Sequence, residues 1–461
     1  MSAVPDDAAA PAAAPLGKAL EDRHVEMIAI GGIIGAGLFV GSSASIAAVG
    51  PAVMVSYGLA GAIVLMVMRM LSEMAVALPG VQSFADFARL GLGHWAGFVS
   101  GWLYWYFWVV VVAIEAIAGA RIIHEWLPTL PVGVIGVGLM AVLTGVNLLS
   151  TRSYGEFEFW LSSIKVAAIL VFILVAGAFV AGLTAPDGPT LANLTAHGGF
   201  IPNGATAVIG GVTSVIFALT GAEIATVAAA ESAGGARTVA RMTYTVALRI
   251  LIFYVLSIGL IVAAIPWTQI TPGVSPFATA LGVMGVPGGE LVMNAIVLVA
   301  VLSCLNSGLY VTSRVLFGLA AQGDAPPWLV AVDRRRVPAR AILIGSVFAY
   351  AALGASVISP ERVFAFLVNA SGALMIVIYG MIAVAQIRIR NRLERSEPDR
   401  LVLRMWLHPW GALATLAAMA GVLLAMALTP ELASQVWASL LIVAVAGVAC
   451  LVAARRRRAG S

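Results

Sequence analysis

Gly31-Gly32-Ile33-Ile34-Gly35-Ala36-Gly37-Leu38-Phe39-Val40-Gly41-Ser42-Ser43 sits inside an apolar run from about 27 to 48, long enough to cross a bilayer. Five glycines fall within eleven residues there, and each costs a helix roughly 1 kcal/mol against alanine. Backbone opened at membrane depth has no water to satisfy it, so it persists only where it lines a protein cavity. The amides that begin the resumed helix attract an anion. Broken membrane helices hold a substrate carboxylate near the midplane in this way. A plainer alternative is that the small residues let two helices pack closely. A dinucleotide loop is excluded, because that glycine pattern must follow a strand in a βαβ unit and no strand pattern precedes it.

The composition agrees with a membrane chain. Of 461 residues, 61% are hydrophobic and 10% charged, and the mean hydropathy is +1.01, outside the soluble globular range. The length fits one helical membrane domain at about 35–40 residues per span and loop. Residues 1–22 are rich in Ala and Pro, with Asp6 and Asp7, and lack the basic and apolar regions of a signal peptide. They are expected to form a disordered cytoplasmic tail. Cys304 and Cys450 lie in separate apolar runs and the five histidines form no HExxH or HxxxxD pattern. Neither a disulfide framework nor a metal site is expected, and no cofactor is implied. No GxxxxGK[ST] loop occurs, so an ion gradient rather than ATP would drive any transport. The net charge of +4 is sorted by membrane side and is no nucleic-acid signal.

Apolar runs define twelve spans, at about 27–48, 52–70, 97–123, 132–149, 157–181, 205–230, 246–265, 291–319, 341–358, 363–387, 409–428 and 432–453. An amphipathic connection, 72–95, joins the second to the third. Twelve spans put both termini on one side. With that side inside, all but four of the 26 Lys and Arg residues fall in inner segments, as the positive-inside rule requires. Arg121 and Arg362 are outer, and Lys165 and Arg314 lie within spans. Both termini are therefore expected to be cytoplasmic, in a cytoplasmic (inner) membrane. A polar loop at 184–204 separates the first five spans from the next five, which suggests an inverted repeat. Its sign would be a second interrupted helix at the matching place. Phe217-Ala218-Leu219-Thr220-Gly221-Ala222-Glu223 carries a glycine and a carboxylate there, in the middle of span six.

These residues resemble a known family. The segment 24–43, Tyr154-Gly155-Glu156-Phe157-Glu158-Phe159-Trp160, and Gly221-Ala222-Glu223 with Glu231-Ser232 are similar to the amino acid–polyamine–organocation transporters. Met68-Arg69-Met70-Leu71-Ser72-Glu73, Trp102-Leu103-Tyr104-Trp105, Gly199-Phe200-Ile201-Pro202-Asn203-Gly204, Ser303-Cys304-Leu305-Asn306-Ser307 and Leu403-Arg404-Met405-Trp406 resemble the bacterial GABA (4-aminobutyrate) permeases. One departure is Ala36-Gly37, where that subgroup is expected to have Ala-Ser; glycine there looks like the broader amino acid permeases. The resemblance implies an all-α membrane protein of twelve helices. Helices one to ten form a five-plus-five inverted repeat with broken helices one and six, a sodium–leucine-transporter-like fold, and two helices are extra. The parts are then the tail 1–22, the transport core 23–387, a basic cytoplasmic loop 388–404, helices eleven and twelve at 405–454, and a basic tail 455–461.

The candidate site residues follow. A substrate carboxylate would sit on the amides near Gly35, Ala36 and Gly37. Its ammonium would face carbonyls freed near Ile33, Phe217 and Thr220, or a side group across the pocket, and Ala218 is counted with the substrate-binding residues. Lys165 lies about nine residues into span five, where a charge is costly and a proton can be released and regained. The resemblance implies that it couples protons to conformation; the alternative is a structural lysine paired with helix-end carbonyls. Glu223 sits where the family has a sixth-helix glutamate that links gating or shares the proton, or else braces the break. Glu115, in span three, would contact the ammonium or carry a proton, or brace a neighbouring helix. Phe217 stands where related transporters place an aromatic gate. Cys304 and Asn306 belong to span eight, which lines the site in this fold. Arg314 is expected to snorkel, and the arginines 455–458 to meet anionic lipid heads. The partners implied are an amino acid, protons and membrane lipids. The function implied is proton-coupled import of GABA or a close relative. A permease for an aromatic or aliphatic α-amino acid is the nearer rival. A non-transporting amino acid sensor is the rival of another class, and the short tails count against it.

Overall fold

The computed structural model describes residues 34–79, 81, 83–149, 152–185, 190–221, 245–332, 337–356 and 360–460. Every regular element among them is helical. The first apolar segment is broken into α1, Ala36–Phe39, and α2, Gly41–Val49, where Val40 leaves helical geometry at φ −125°. A 3₁₀ turn at Gly50–Ala52 leads into α3, Val53–Ala77. There follow α4 (Phe84–Leu92), α5 (His94–Trp126), α6 (Val132–Leu149), α7 (Arg152–Val180) and α8 (Gly204–Leu219). The seventh apolar segment opens with a π-helical stretch, Ile250–Leu256, and ends as α9, Ser257–Ala264. After α10 (Pro276–Val283) come α11 (Gly289–Ala321), α12 (Ala339–Ser356), α13 (Pro360–Ser396), α14 (Trp410–Leu428) and α15 (Pro430–Gly460). Among the described residues, eight helices are long and apolar enough to cross a membrane, the first counted as one run Ala36–Ala77; three shorter apolar helices accompany them. This is a multi-pass membrane protein.

The helices sort into two groups. In one, α1, α2 and α3 pack against α8, and α3 also meets the π-helical stretch. In the other, α5, α6, α11 and α12 pack among themselves, with α5 against α11 the most extensive pairing. Small residues set the closest crossings, as expected where packing rather than water exclusion holds helices together. Gly372 of α13 passes Thr213 of α8 so closely that a Cβ would lie 1.9 Å from the Thr213 carbonyl oxygen. Beside it, Asn369 accepts a hydrogen bond from Ser214.

The helix of span ten runs on through 388–396, where a loop is expected from the charges. Arg390 pairs with Glu394 one turn later at 2.9 Å, the spacing that supports an exposed helix. The same arginine turns inward to Glu73 of α3 at 2.9 Å. That carboxylate also accepts from Gln386 at 2.6 Å and from the Met405 amide. The amphipathic connection is realised as α4, with Ser83 accepting from the Asp86 amide as its N-cap.

Candidate functional site

Two interruptions face each other. The first begins at Gly35, whose extended backbone (φ −138°, ψ −149°) precedes the single turn of α1. The second ends α8, where Thr220 is extended and Gly221 has φ 108°, a conformation open to glycine and strained for other residues. The breaks touch directly. A Cβ on Gly37 would lie 2.8 Å from the Ala218 Cα and 3.3 Å from the Phe217 ring, which covers Gly37 and Gly41. Phe107 of α5 backs that ring at 6.2 Å between centroids.

Behind the first break lies a buried polar cluster. The Ala36 amide donates to both carboxylate oxygens of Glu115, at 3.0 and 3.1 Å, and Glu115 is 1% exposed. The Cys304 thiol of α11 donates to the same carboxylate. A Cβ on Gly35 would fall 2.7 Å from the Cys304 Cβ and Sγ and from a Glu115 oxygen, so only glycine lets α1, α5 and α11 converge here. Next to Cys304, Ser303 accepts from the Lys165 ammonium at 2.8 Å, and Lys165 is fully buried. The lysine lies near enough to act on the Glu115 charge. Amide, carboxylate, thiol, hydroxyl and ammonium thus form one continuous group drawn from α1, α5, α11 and α7.

The residues singled out from sequence are not all in it. Gly35, Ala36, Glu115, Cys304 and Lys165 come together, and Gly37, Phe217, Ala218 and Thr220 join them through the second break. The Phe217 carbonyl accepts from the Thr220 amide at 3.3 Å, and the Thr220 hydroxyl donates to Ile216 at 2.8 Å. Ile33 and Glu223 lie outside the described residues. Asn306 turns away, accepting from Asn147 of α6 at 2.7 Å. Arg314 lies over its own helix's Tyr310 ring at 3.8 Å. The tryptophan cluster is largely packing: Trp105 meets Trp102 and Phe348 edge-on, each at 5.4 Å. Sequence reasoning missed Tyr254, whose hydroxyl donates to the Ala218 carbonyl at 3.1 Å. Its signal was a lone tyrosine in the middle of an apolar span.

A family model described as amino acid permease matches residues 24–460. The chain belongs to the amino acid permease family. This permease is 44% identical over 443 residues to a gamma-aminobutyric acid permease of Bacillus subtilis, covering 96% of this chain and 94% of that one. It is 44% identical to a gamma-aminobutyric acid permease of Escherichia coli, over 86% and 85% of the two chains. It is 38% identical to the aromatic amino acid transport protein AroP of Corynebacterium glutamicum, over 92% of each. These relatives are transporters rather than enzymes, and no group of three or more metal-ligating side chains occurs among the described residues of the permease.

Proposed function

We propose that this permease imports GABA, or a closely related small zwitterionic amino acid, with protons across the cytoplasmic membrane by alternating access. The observation that carries the reading is the Ala36 amide. It already binds the carboxyl group of Glu115 in a buried position, and a substrate carboxylate would bond there with charge assistance. A substrate carboxylate would use this amide with Gly35 and Gly37 around it. The substrate ammonium would turn to carbonyls about Ile33, Phe217, Ala218 and Thr220, with Phe217 closing over it. The two GABA permeases at 44% identity support the substrate. Proton coupling is assigned to Lys165, buried beside Ser303, and Glu223 is kept as a second proton-linked group. The grouping of helices supports twelve spans with a five-plus-five repeat: spans one and two share a group with six and seven, and three and four with eight and nine. The placement of the arginines supports cytoplasmic termini.

Uptake of radiolabelled GABA into proteoliposomes, with an inward proton gradient, tests this with wild type beside Lys165→Ala. Gradient-driven accumulation is expected in the wild type only, with counterflow exchange retained by the mutant. Equal accumulation by both would remove the role of Lys165. Absence of GABA uptake, with accumulation of an aromatic α-amino acid, would favour the second reading, which the AroP relative supports.

A further inference from the structure

Each break has a backbone group held by a side chain from outside the broken spans. At the first, the Ala36 amide is held by Glu115 of α5. At the second, the Ala218 carbonyl is held by the Tyr254 hydroxyl at 3.1 Å. Glu115 is 1% exposed and Tyr254 not at all, so neither bond competes with bulk water. Tyr254 projects from the π-helical stretch Ile250–Leu256, a widened turn that recurs at functional sites. One side chain is a carboxylate acceptor and the other a donor. Those are the chemistries of the two ends of a zwitterionic amino acid. Gly37 lies directly on Ala218, so the residues that carry the two held groups are neighbours across the breaks.

We propose that Glu115 and Tyr254 are placeholders, so that substrate binds by exchange rather than by entering a vacant site. The incoming carboxylate takes the Ala36 amide from Glu115, and the incoming ammonium takes the Ala218 carbonyl from Tyr254. This rests on the reading that the breaks bind the substrate. Exchange keeps both backbone groups hydrogen-bonded whether or not substrate is present, which burial demands. It also selects for zwitterions, because a ligand with one charged end releases only one placeholder.

The test measures competition binding of GABA, butyrate and butylamine to purified protein in nanodiscs. Tyr254→Phe removes the hydroxyl and keeps the ring. It is expected to tighten GABA and butylamine about fivefold, the loss of one competing hydrogen bond, and to leave butyrate unchanged. Glu115→Gln, with a neutral and weaker hold, is expected to tighten butyrate and leave butylamine unchanged. Equal shifts for all three probes, or none, in either variant would overturn the exchange and leave the residue a structural brace. If the wild type binds an α-amino acid instead of GABA, the proposed substrate falls. The same crossed pattern with that acid's amine and deaminated analogues then decides the exchange.

Discussion

Alanine at position 35 would put a methyl carbon 2.7 Å from both the Cys304 side chain and a Glu115 oxygen, and neither can retreat without leaving its partner. Overpacking of this kind costs roughly 1–3 kcal/mol. Gly35→Ala is therefore expected to cut uptake more than tenfold while the protein still purifies as a single species. Gly37→Ala meets backbone instead, at the Ala218 Cα. It should separate the breaks and lower uptake of every substrate alike. The Lys165–Ser303 bond makes a different forecast. Ser303→Ala removes a hydroxyl that accepts from the ammonium without adding volume, and is expected to slow gradient-driven uptake several-fold while sparing counterflow. The glycines and the intramembrane charges at this scale were legible because each violates a rule for membrane helices. Their partners were not. Glu115 is 79 residues from Ala36 and Lys165 is 138 from Ser303, and nothing local records which charge meets which backbone group.

Helices meet outside the site through a second buried cluster, whose expected effect is on stability. Glu73 of α3 takes Arg390 and Gln386 from α13 and the Met405 amide from the connection to α14. The ion pair is nearly dry, with side chains 10% and 2% exposed. Removing one partner of such a pair costs about 3–5 kcal/mol, so Arg390→Ala should lower the melting temperature in detergent well below that of Arg392→Ala. His408 in the same connection is held below the usual histidine range, first by its burial and then by Arg390. The unfolded chain therefore takes up the proton first, and stability should fall as the pH drops through about 6.5. His408→Gln is expected to flatten that part of a melting-temperature profile against pH. Apolar length made the long spans readable to within a few residues, because a bilayer sets their length. The helical run of α13 past the membrane escaped notice, since its charges read as loop until Arg390 is seen pairing with Glu394. The π-helical stretch carries no sequence mark, as Ile-Leu-Ile-Phe-Tyr-Val-Leu suits an ordinary helix equally well.

Across the whole molecule, α4 is tied to the end of α11. Arg89 meets Asp324 at 2.5 Å and Gln322 at 2.7 Å, and His94 meets the other Asp324 oxygen at 3.3 Å. The Trp102 indole donates to the Asp324 carbonyl at 3.1 Å. Asp324 is 5% exposed, so these bonds should outweigh an ordinary surface pair. Asp324→Asn is expected to speed amide hydrogen exchange about tenfold over 84–92, the loss of a charge-assisted bond, and to leave α13 as it was. The contact at Gly372 has a mechanical meaning as well. With room for no Cβ between Gly372 and the Thr213 carbonyl, the contact would oppose sliding of α8 along α13 more than tilting about that point, like a beam on a fulcrum. Thr213 is nine residues from Gly204 and five from Ala218, arms of about 13.5 and 7.5 Å at 1.5 Å per residue. A swing of the Gly204 end would then reach the Ala218 carbonyl at about half the amplitude and in the opposite direction.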